Sequence, residues 1–330
     1  MSQVSSDSIL TVLGRNFASA RITIVDNLPD LKALVGRRPD LVFLGMEFVY
    51  SDDSSSSKIW LSDYLEDHEI AYTGSRQAAS ELGRYKALAK QRVLDIGLKT
   101  SAYHVIKQMQ LLKRSDLTFD FPMFIKPTKG GGGAGIDSDS VVNNIEQLIA
   151  KVLSISIDNQ SDSLVEEYLP GREFSVAVLR DELSSRYSVM PLELIAPADE
   201  NGARLLSGEI KSSNTEQTLE VSDPIVKAEV AELALNVFQA LGARDFGRID
   251  IRCDSNGTPH FLEANLIPSL ISGYGSFPKA CVMNLGLGYE SMILSIVRLG
   301  LQRSAVVEVS GSASVTPVTL APFGIAFDPV

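Results

Sequence analysis

Two carboxylates and an amide lie close together late in the chain, in the stretch "FGRIDIRCDSNGTPHFLEAN", residues 246–265. The dipeptide Asn256-Gly257 is typical of a two-residue hairpin turn. With the turn there, the two flanking strands pair, and side chains two residues apart on one strand lie on the same face. Four polar side chains are therefore predicted to project together from one face of this hairpin: Arg248, Asp250, Glu263 and Asn265.

The other face of the hairpin is predicted to be apolar and buried, with Ile249, Ile251, Leu262 and Ala264. Asp250, Glu263 and Asn265 offer oxygen atoms, the ligands that Mg²⁺ prefers in proteins. Mg²⁺ rarely fills its coordination shell from protein alone, so phosphate oxygens are the expected remaining ligands. The alternative is a solvated hairpin face whose acids simply pair with Arg248. The apolar surroundings and the spacing favour the metal site.

A glycine run follows a lysine-bearing strand in "FIKPTKGGGGAG". Glycine lets the backbone approach a ligand closely and aim N–H groups at phosphate oxygens. Lys126, at the end of the strand, would place its ammonium beside those phosphates. A flexible linker is the alternative, but linkers are unusual between a buried strand and a helix. The run also fits the dinucleotide pattern G-x-G-x-x-G at Gly130, Gly132 and Gly135, a weak match among so many glycines.

Alternating apolar patterns predict the elements that must position these motifs. In the N-terminal segment, "SARITIVDN" and "PDLVFLGM" are predicted to be buried strands, and "KIWLSDYLEDHEI" has helical spacing. Strands that alternate with helices favour a parallel sheet. Further on, "SRQAASELGRYKALAKQRVLDIG" is predicted to be helical and to end near Gly97.

The second half of the chain contains predicted hairpins and helices. "FSVAVLR" and "RYSVMPLEL" are predicted to pair around "DELSS". The segment "DPIVKAEVAELALNVFQALGA" is predicted to be a long helix with Asp223 as its N-cap, Pro224 in its first turn and Gly242 at its end. A last helix, "GYESMILSIVRLGL", is predicted to close the core. The tail, residues 311–330, is predicted to be either a docked strand or a loose end.

The bulk composition limits the function classes. The 330 residues suggest two or three subdomains, and 45% apolar with 22% charged residues is ordinary for a globular protein. A formal charge of −11 argues against nucleic acid as the main partner, because phosphate backbones require a basic face. Two cysteines, no signal peptide and no membrane-spanning apolar run favour a cytoplasmic location without membrane association.

Five motifs in order resemble the ATP-grasp superfamily and, within it, the D-alanine–D-alanine ligases: "YTGS", a lysine-bearing helix, "IKPTKGGGGAG", "VEEYLPGREF" and "GRIDIR…FLEANLIPS". The resemblance covers most of the chain, from "AYTGS" to about residue 300. It implies an α/β (α+β overall) ATP-grasp fold with a short N-terminal α/β (pre-ATP-grasp) domain. It also implies ATP and two Mg²⁺ ions, with Mn²⁺ as a possible substitute.

The resemblance assigns roles residue by residue. ATP would be contacted by Lys86, Lys126, Gly132, Gly133, Glu166, Glu167, Leu169 and Glu173, the last at the ribose hydroxyls. Glu166 and Glu167 could equally be a strand-end charge pair. The metal ions would be held by Asp250, Glu263 and Asn265. Catalysis would involve Arg248, which would stabilise the tetrahedral intermediate, together with Lys211 and Ser269. The three histidines, His68, His104 and His260, lie outside these motifs and are interpreted as structural or surface residues.

The substrate positions depart from the family pattern. No early glycine-rich turn carries the glutamate that binds the first substrate's amine, and Gly132 replaces the serine of the glycine loop. Where the family has "N-T-x-P-G-M-T", this chain has "NLIPSLIS", so Ser269 replaces a glycine of the oxyanion site. Three nearby residues could contact substrate: Tyr274, Ser276 and Lys279. These departures favour a carboxylate–amine ligase whose substrate is not simple D-alanine, with a genuine D-alanine–D-alanine ligase as the alternative.

The resemblance also suggests an organisation and partners. Four segments are predicted: a short α/β domain at 1–75, a central ATP-grasp subdomain at 76–170, a C-terminal ATP-grasp subdomain at 171–310, and the tail. A homodimer acting on small amino-acid or peptide-like substrates is expected. Two other classes stay open: an ATP-binding module without ligase activity, and a dinucleotide oxidoreductase based on the weak glycine match.

Overall fold

The computed structural model describes residues 2–51, 57–110, 114–130, 133–198, 204–213 and 215–310. The helices are α1 Gln3–Asn16, α2 Leu28–Gly36, α3 Leu61–Asp67, α4 Gln77–Arg84, α5 Lys86–Asp95, α6 Ile145–Asp158, α7 Gly208–Ser213, α8 Pro224–Ala240, α9 Ser276–Leu285 and α10 Tyr289–Ser310. The strands are β1 Leu41–Val42, β2 Phe48–Tyr50, β3 Lys58–Trp60, β4 Ala71–Tyr72, β5 Tyr103–Ile106, β6 Met123–Pro127, β7 Val141–Val142, β8 Ser163–Glu167, β9 Glu173–Arg180, β10 Tyr187–Ile195, β11 Gln217–Glu220, β12 Phe246–Cys253 and β13 Pro259–Asn265. The predicted tail lies outside the described residues.

Two antiparallel sheets form the body of the described chain. One has four strands in the order β5-β8-β6-β7, and the other has five in the order β11-β10-β9-β12-β13. Helix α8 packs on one face of the five-stranded sheet, where Val176, Ile249 and Val237 are fully buried. Helices α1, α9 and α10 cover part of the opposite face. The α/β class and the pairing of β9 with β10 are therefore confirmed.

Helix α8 has the predicted caps. The Asp223 side chain accepts hydrogen bonds from the backbone N–H groups of Ile225 and Val226, and Pro224 begins the helix, where its missing N–H is not needed. Gly242 follows the helix with a φ of +68°, a conformation that favours glycine. Because both ends are determined locally, the sequence alone placed this helix correctly.

The N-terminal segment differs from its prediction. β1 and β4 form the expected parallel pair, but residues 19–27 contain no strand. Ile22 and Ile24 of this stretch are exposed, and Val25 enters the N-terminal core cluster. Alternating apolar residues alone do not supply a hydrogen-bonding partner, so the strand prediction was wrong. Helix α1, which the sequence reading missed, is capped by the Ser2 side chain and packs Ile9 against α10.

The hairpin of β12 and β13 has the predicted register at one end only. Arg248 pairs with Asn265 and Asp250 with Glu263, but the pairing shifts by one residue beyond Asp250. This β-bulge brings Phe261 into the core in place of Leu262, which instead faces the cleft described below. The prediction that Leu262 belongs to the buried face was therefore wrong.

Candidate active site

A cleft lies between the four-stranded and the five-stranded sheet and encloses about 630 Å³, part of it open to solvent. Residues from both sheets line it. Among the predicted site residues, the lining includes Lys126, Glu166, Glu167, Leu169, Glu173, Asp250 and Glu263. The apolar side chains Phe124, Leu206 and Leu262 line the cleft beside these charges. The shape and the lining suit a flat aromatic group joined to an anionic tail.

The polar face of the β12–β13 hairpin opens into this cleft. Asp250, which is 8% exposed, accepts hydrogen bonds from Arg248 Nε at 2.9 Å and Nη2 at 2.7 Å. Ser175 Oγ donates to the same carboxylate at 3.1 Å, and Asn265 Nδ2 donates at 3.4 Å. The register of the hairpin therefore brings the predicted metal ligands together. Asp250 also pairs with Arg248, as the alternative interpretation requires.

The donor chemistry of this face fits a hard divalent cation. In the described part of the chain, no group of three or more His, Cys, Asp or Glu side chains could hold a metal ion. The face contains two carboxylates, Asp250 and Glu263, and one amide, Asn265, whose nitrogen donates to Asp250, so that its oxygen is left to act as a ligand. Such a set is incomplete for Mg²⁺ unless phosphate oxygens complete it.

The described glycines at the two ends of the glycine run contact residues near the cleft. Lys86 Nζ donates to the backbone oxygen of Gly130 at 2.6 Å and lies 3.6 Å from Glu263. Burial lowers the pKa of Lys86, against the opposing effect of Glu263. Gly133 has a φ of +81°, and a Cβ there would come within 2.6 Å of the backbone nitrogen of Gly208. The loop therefore packs directly against the start of α7.

The contacts of two predicted residues of this region, Gly132 and Lys211, fall outside the described part of the chain. Gly132 lies outside the described residues. Lys211 lies in α7, the helix that Gly133 contacts, but its side chain is outside the described part of the chain. Their assigned contacts therefore stay predictions.

Glu166 is enclosed by two lysines at the back of the cleft. Its Oε2 lies 2.7 Å from Lys126 Nζ, and its Oε1 lies 2.6 Å from Lys90 Nζ. Burial alone would raise the pKa of Glu166, but Lys126 and Lys90 outweigh it and lower the pKa to about 2. Glu166 is thus a buried anion held between two cations, whereas Glu167 points to solvent. Glu166 forms ion pairs near the end of β8, as the alternative interpretation allows, and the assigned ATP contacts of Glu166 and Glu167 stay predictions.

Three residues of the site escaped the sequence reading: Lys90, Arg252 and Ser175. Lys90 follows Lys86 by one helical turn, so helical spacing could have indicated it. Arg252 follows Asp250 by two residues on β12, and its Nη1 donates to Glu173 at 3.0 Å. Ser175 lies on a different strand, and no sequence signal connects it with Asp250.

The predicted substrate residues lie near the polar face of the β12–β13 hairpin. Ser276, at the start of α9, lies with its Oγ 3.2 Å from the Ser175 Oγ that donates to Asp250. Lys279 Nζ lies 5.9 Å from the centroid of the Tyr274 ring. Ser269 is exposed on the loop before α9. The chain Asp250–Ser175–Ser276 therefore joins the metal face to the start of α9, a helix that the sequence reading had not predicted.

The histidines lie outside the cleft lining. His68 Nδ1 lies 2.7 Å from the backbone oxygen of Tyr64, and His260 Nε2 lies 3.4 Å from Asp254. These contacts agree with a structural role.

Two antiparallel sheets with a cleft between them, lined by carboxylates and Lys126 and bordered by a glycine-rich segment, are typical of the ATP-grasp class. Solved structures agree. The D-alanine–D-alanine ligase of Bacillus anthracis superposes with a TM-score of 0.71 over 92% of this chain and 93% of that one, at 18% identity. The structure of the same enzyme "complexed with ATP" superposes with a TM-score of 0.70 over 92% of this chain and 94% of that one.

The family profile described as "D-ala D-ala ligase C-terminus" matches residues 93–298. The chain belongs to this family and is an ATP-dependent ligase that forms a peptide-type bond. It is similar to the D-alanine–D-alanine ligases of Bordetella petrii (29% identity, 78% of this chain and 75% of the relative) and Glaesserella parasuis (30%, 72% and 75%). The Xylella fastidiosa enzyme is 28% identical over 90% of this chain and 93% of its own length.

No single helix of the described ranges is long and apolar enough to cross a membrane. One bent pair, Ser276–Leu285 with Tyr289–Arg303, meets the length and composition criteria jointly, with a 104° bend.

Proposed function

We propose that this ligase joins two D-alanine molecules, with ATP converted to ADP and phosphate through an acyl phosphate. One observation carries the proposal: in a member of this family, Lys86 of α5, Lys126 of β6, the start of the glycine run at Gly130 and the polar face of the β12–β13 hairpin meet at one cleft. The Xylella fastidiosa relative, which the match covers over 93% of its length, is named a D-alanine–D-alanine ligase. A ligase for other substrates, which the sequence reading ranked first, becomes the second candidate.

ATP would lie with its adenine against the apolar wall near Leu169 and its ribose beside Glu173, which Arg252 holds in place. Backbone groups after β8 would contact the adenine edge, next to the solvent-facing Glu167. Lys86 and Lys126 would meet the phosphates, because Lys126 lines the cleft and Lys86 lies between Gly130 of the glycine run and Glu263. Glu173 has a position compatible with hydrogen bonds to the ribose hydroxyls.

Asp250, Glu263 and Asn265 would hold two Mg²⁺ ions together with the phosphates. When bound, Mg²⁺ neutralises charge that accumulates on a transferring phosphoryl group. Arg248 orients the Asp250 carboxylate through two hydrogen bonds, and its remaining N–H donors would face the developing oxyanion.

The condensation itself needs positioning of an acid and an amine. The carboxylate of the first amino acid attacks the γ-phosphate and displaces ADP, which gives an acyl phosphate. The amine of the second amino acid then attacks the acyl carbon, and phosphate leaves. Arg248 and the backbone at Ser269 would stabilise the tetrahedral oxyanion, and Lys211 would contact the γ-phosphate. The start of α9, with Ser276 beside Ser175 and with Lys279 near Tyr274, would receive the second substrate's carboxylate.

We also propose the predicted homodimer and the four segments with boundaries at 75, 170 and 310. A dimer would appear in sedimentation as a mass twice that of the 35.7 kDa chain.

The substrate prediction is tested by phosphate release from MgATP with D- and L-amino acids, singly and in pairs, and by mass spectrometry of any product. D-alanine alone should release phosphate and give its dipeptide. Release only with another acid or amine would overturn the D-alanine assignment and support the second candidate, whose basis is Ser269 and Lys279 at substrate positions. ATP binding with no release for any pair would favour a binding module.

Gly133→Ala should raise the KM for ATP more than the matched change Gly130→Ala. Both glycines have positive φ, so each alanine costs about 1–2 kcal/mol of backbone strain. A Cβ at 133 would collide with the backbone of residues 207–208, whereas a Cβ at 130 meets none of the described residues within 4 Å. The KM for ATP should rise about tenfold more for Gly133→Ala, equivalent to about 1.4 kcal/mol. Equal effects in initial-rate assays would show that the contact with α7 is unimportant.

A further inference from the structure

Lys90 is a fully buried cation with no direct access to the cleft. It is 0% exposed, and its Nζ lies 2.6 Å from Glu166 Oε1. It donates to Thr100 Oγ1 at 2.7 Å, to Ser101 Oγ at 2.9 Å and to the backbone oxygen of Phe261 at 3.4 Å. An isolated buried ammonium group is strongly unfavourable, and these four contacts compensate for the burial of Lys90.

The charges around Glu166 do not cancel. Glu166 carries one negative charge, and Lys90 and Lys126 each carry one positive charge, so this described triad has a net charge of +1. Burial lowers the pKa of Lys90 to about 8, against the opposing effect of Glu166, so the group is mostly protonated at neutral pH. Lys126 lines the cleft, while Lys90 does not.

If Lys90 were absent, Glu166 would be balanced by Lys126 alone. The pair would then be neutral, and Lys126 would offer little attraction to an anion in the cleft. With Lys90 present, Glu166 is already balanced from behind, on the side of the triad away from the cleft. The excess positive charge therefore appears on Lys126, the cationic member of the triad that lines the cleft.

We propose that Lys90 is a positioning residue for the nucleotide phosphates: it neutralises Glu166 and so leaves the charge of Lys126 available to ATP. This rests on the proposed use of ATP. Lys90 also ties α5 to β13 through Phe261, so a purely structural role must be distinguished from the electrostatic one.

The test is calorimetric binding of ATP, ADP and adenosine to the full-length wild type, Lys90→Met and the double variant Lys90→Met/Glu166→Gln. The triad carries a net charge of +1 in the wild type, zero in Lys90→Met and +1 again in the double variant. Lys90→Met should weaken the binding of ATP at least about tenfold, the typical loss for a charge-assisted contact. The affinity for adenosine should stay within about twofold of the wild type. The double variant should recover most of the ATP affinity.

Lys151→Met is the matched control, because Lys151 is also buried but pairs with Asp137 in a different cluster. It should bind ATP like the wild type. If Lys90→Met fails to fold, Lys90→Gln, which retains hydrogen bonding to Thr100 and Ser101, is measured in its place with the same expectation. Equal loss of ATP and adenosine, or no recovery in the double variant, would overturn the proposal. A wild type that fails to bind ATP would instead refute the proposed function.

Discussion

Replacing Glu263 with Gln is expected to lower kcat by at least about 100-fold and leave the fold intact. Glu263 faces Asp250 across the hairpin and lies 3.6 Å from Lys86, so it is at the centre of the proposed phosphate and metal site. The amide is nearly isosteric, but it removes one of the two carboxylate charges on this face. The measurement is phosphate release with MgATP and the substrates identified above, alongside thermal unfolding.

Glu232→Gln provides the control for this change. Glu232 is exposed on α8, away from the metal face, and the same substitution there should leave kcat within about twofold. A Glu263→Gln enzyme with wild-type turnover would eliminate the metal assignment. A large loss in both variants would indicate that the assay reports a general effect of charge rather than the site.

Asp245→Asn is expected to lower the free energy of unfolding by about 3 kcal/mol, the typical cost of breaking a buried ion pair. Asp245 is fully buried, pairs with Arg303 of α10 and accepts a hydrogen bond from the Gly74 N–H in the "YTGS" turn at 3.1 Å. Arg303 also donates to the backbone oxygen of Tyr72, so this pair ties the N-terminal segment to α10. Asparagine tolerates the φ of +63° at this position, so the change isolates the charge.

Urea unfolding followed by circular dichroism measures this loss. The double variant Asp245→Asn/Arg303→Met should recover part of it, because the unpaired guanidinium is removed as well. Asp7→Asn on the exposed face of α1 should change stability by less than about 0.5 kcal/mol. An unchanged unfolding midpoint for Asp245→Asn would show that the ion pair makes no net contribution to the free energy of unfolding.

The active-site hairpin shows how far local signals reach. Asp254 accepts hydrogen bonds from the backbone N–H groups of Asn256 and Thr258, so the turn is determined by residues within it. Alternation along the strands then pairs Asp250 with Glu263 without reference to the rest of the chain. The bulge that exchanges Phe261 for Leu262 was not foreseeable, because it depends on how β13 packs against α5 and α8.

The sequence by itself determined the elements with local signals: the caps of α8, the strand and glycine loop that contain Lys126, and the polar face of the hairpin. Motif order placed the chain in its superfamily, which the family profile confirms. Tertiary structure alone decided which buried charges meet. Lys90 and Glu166 are 76 residues apart, and Ser175 and Asp250 are 75 apart. These contacts exist because the two sheets close on one cleft. The energy of such a pair depends on the distance between the charges and on their burial, and a local sequence pattern encodes neither.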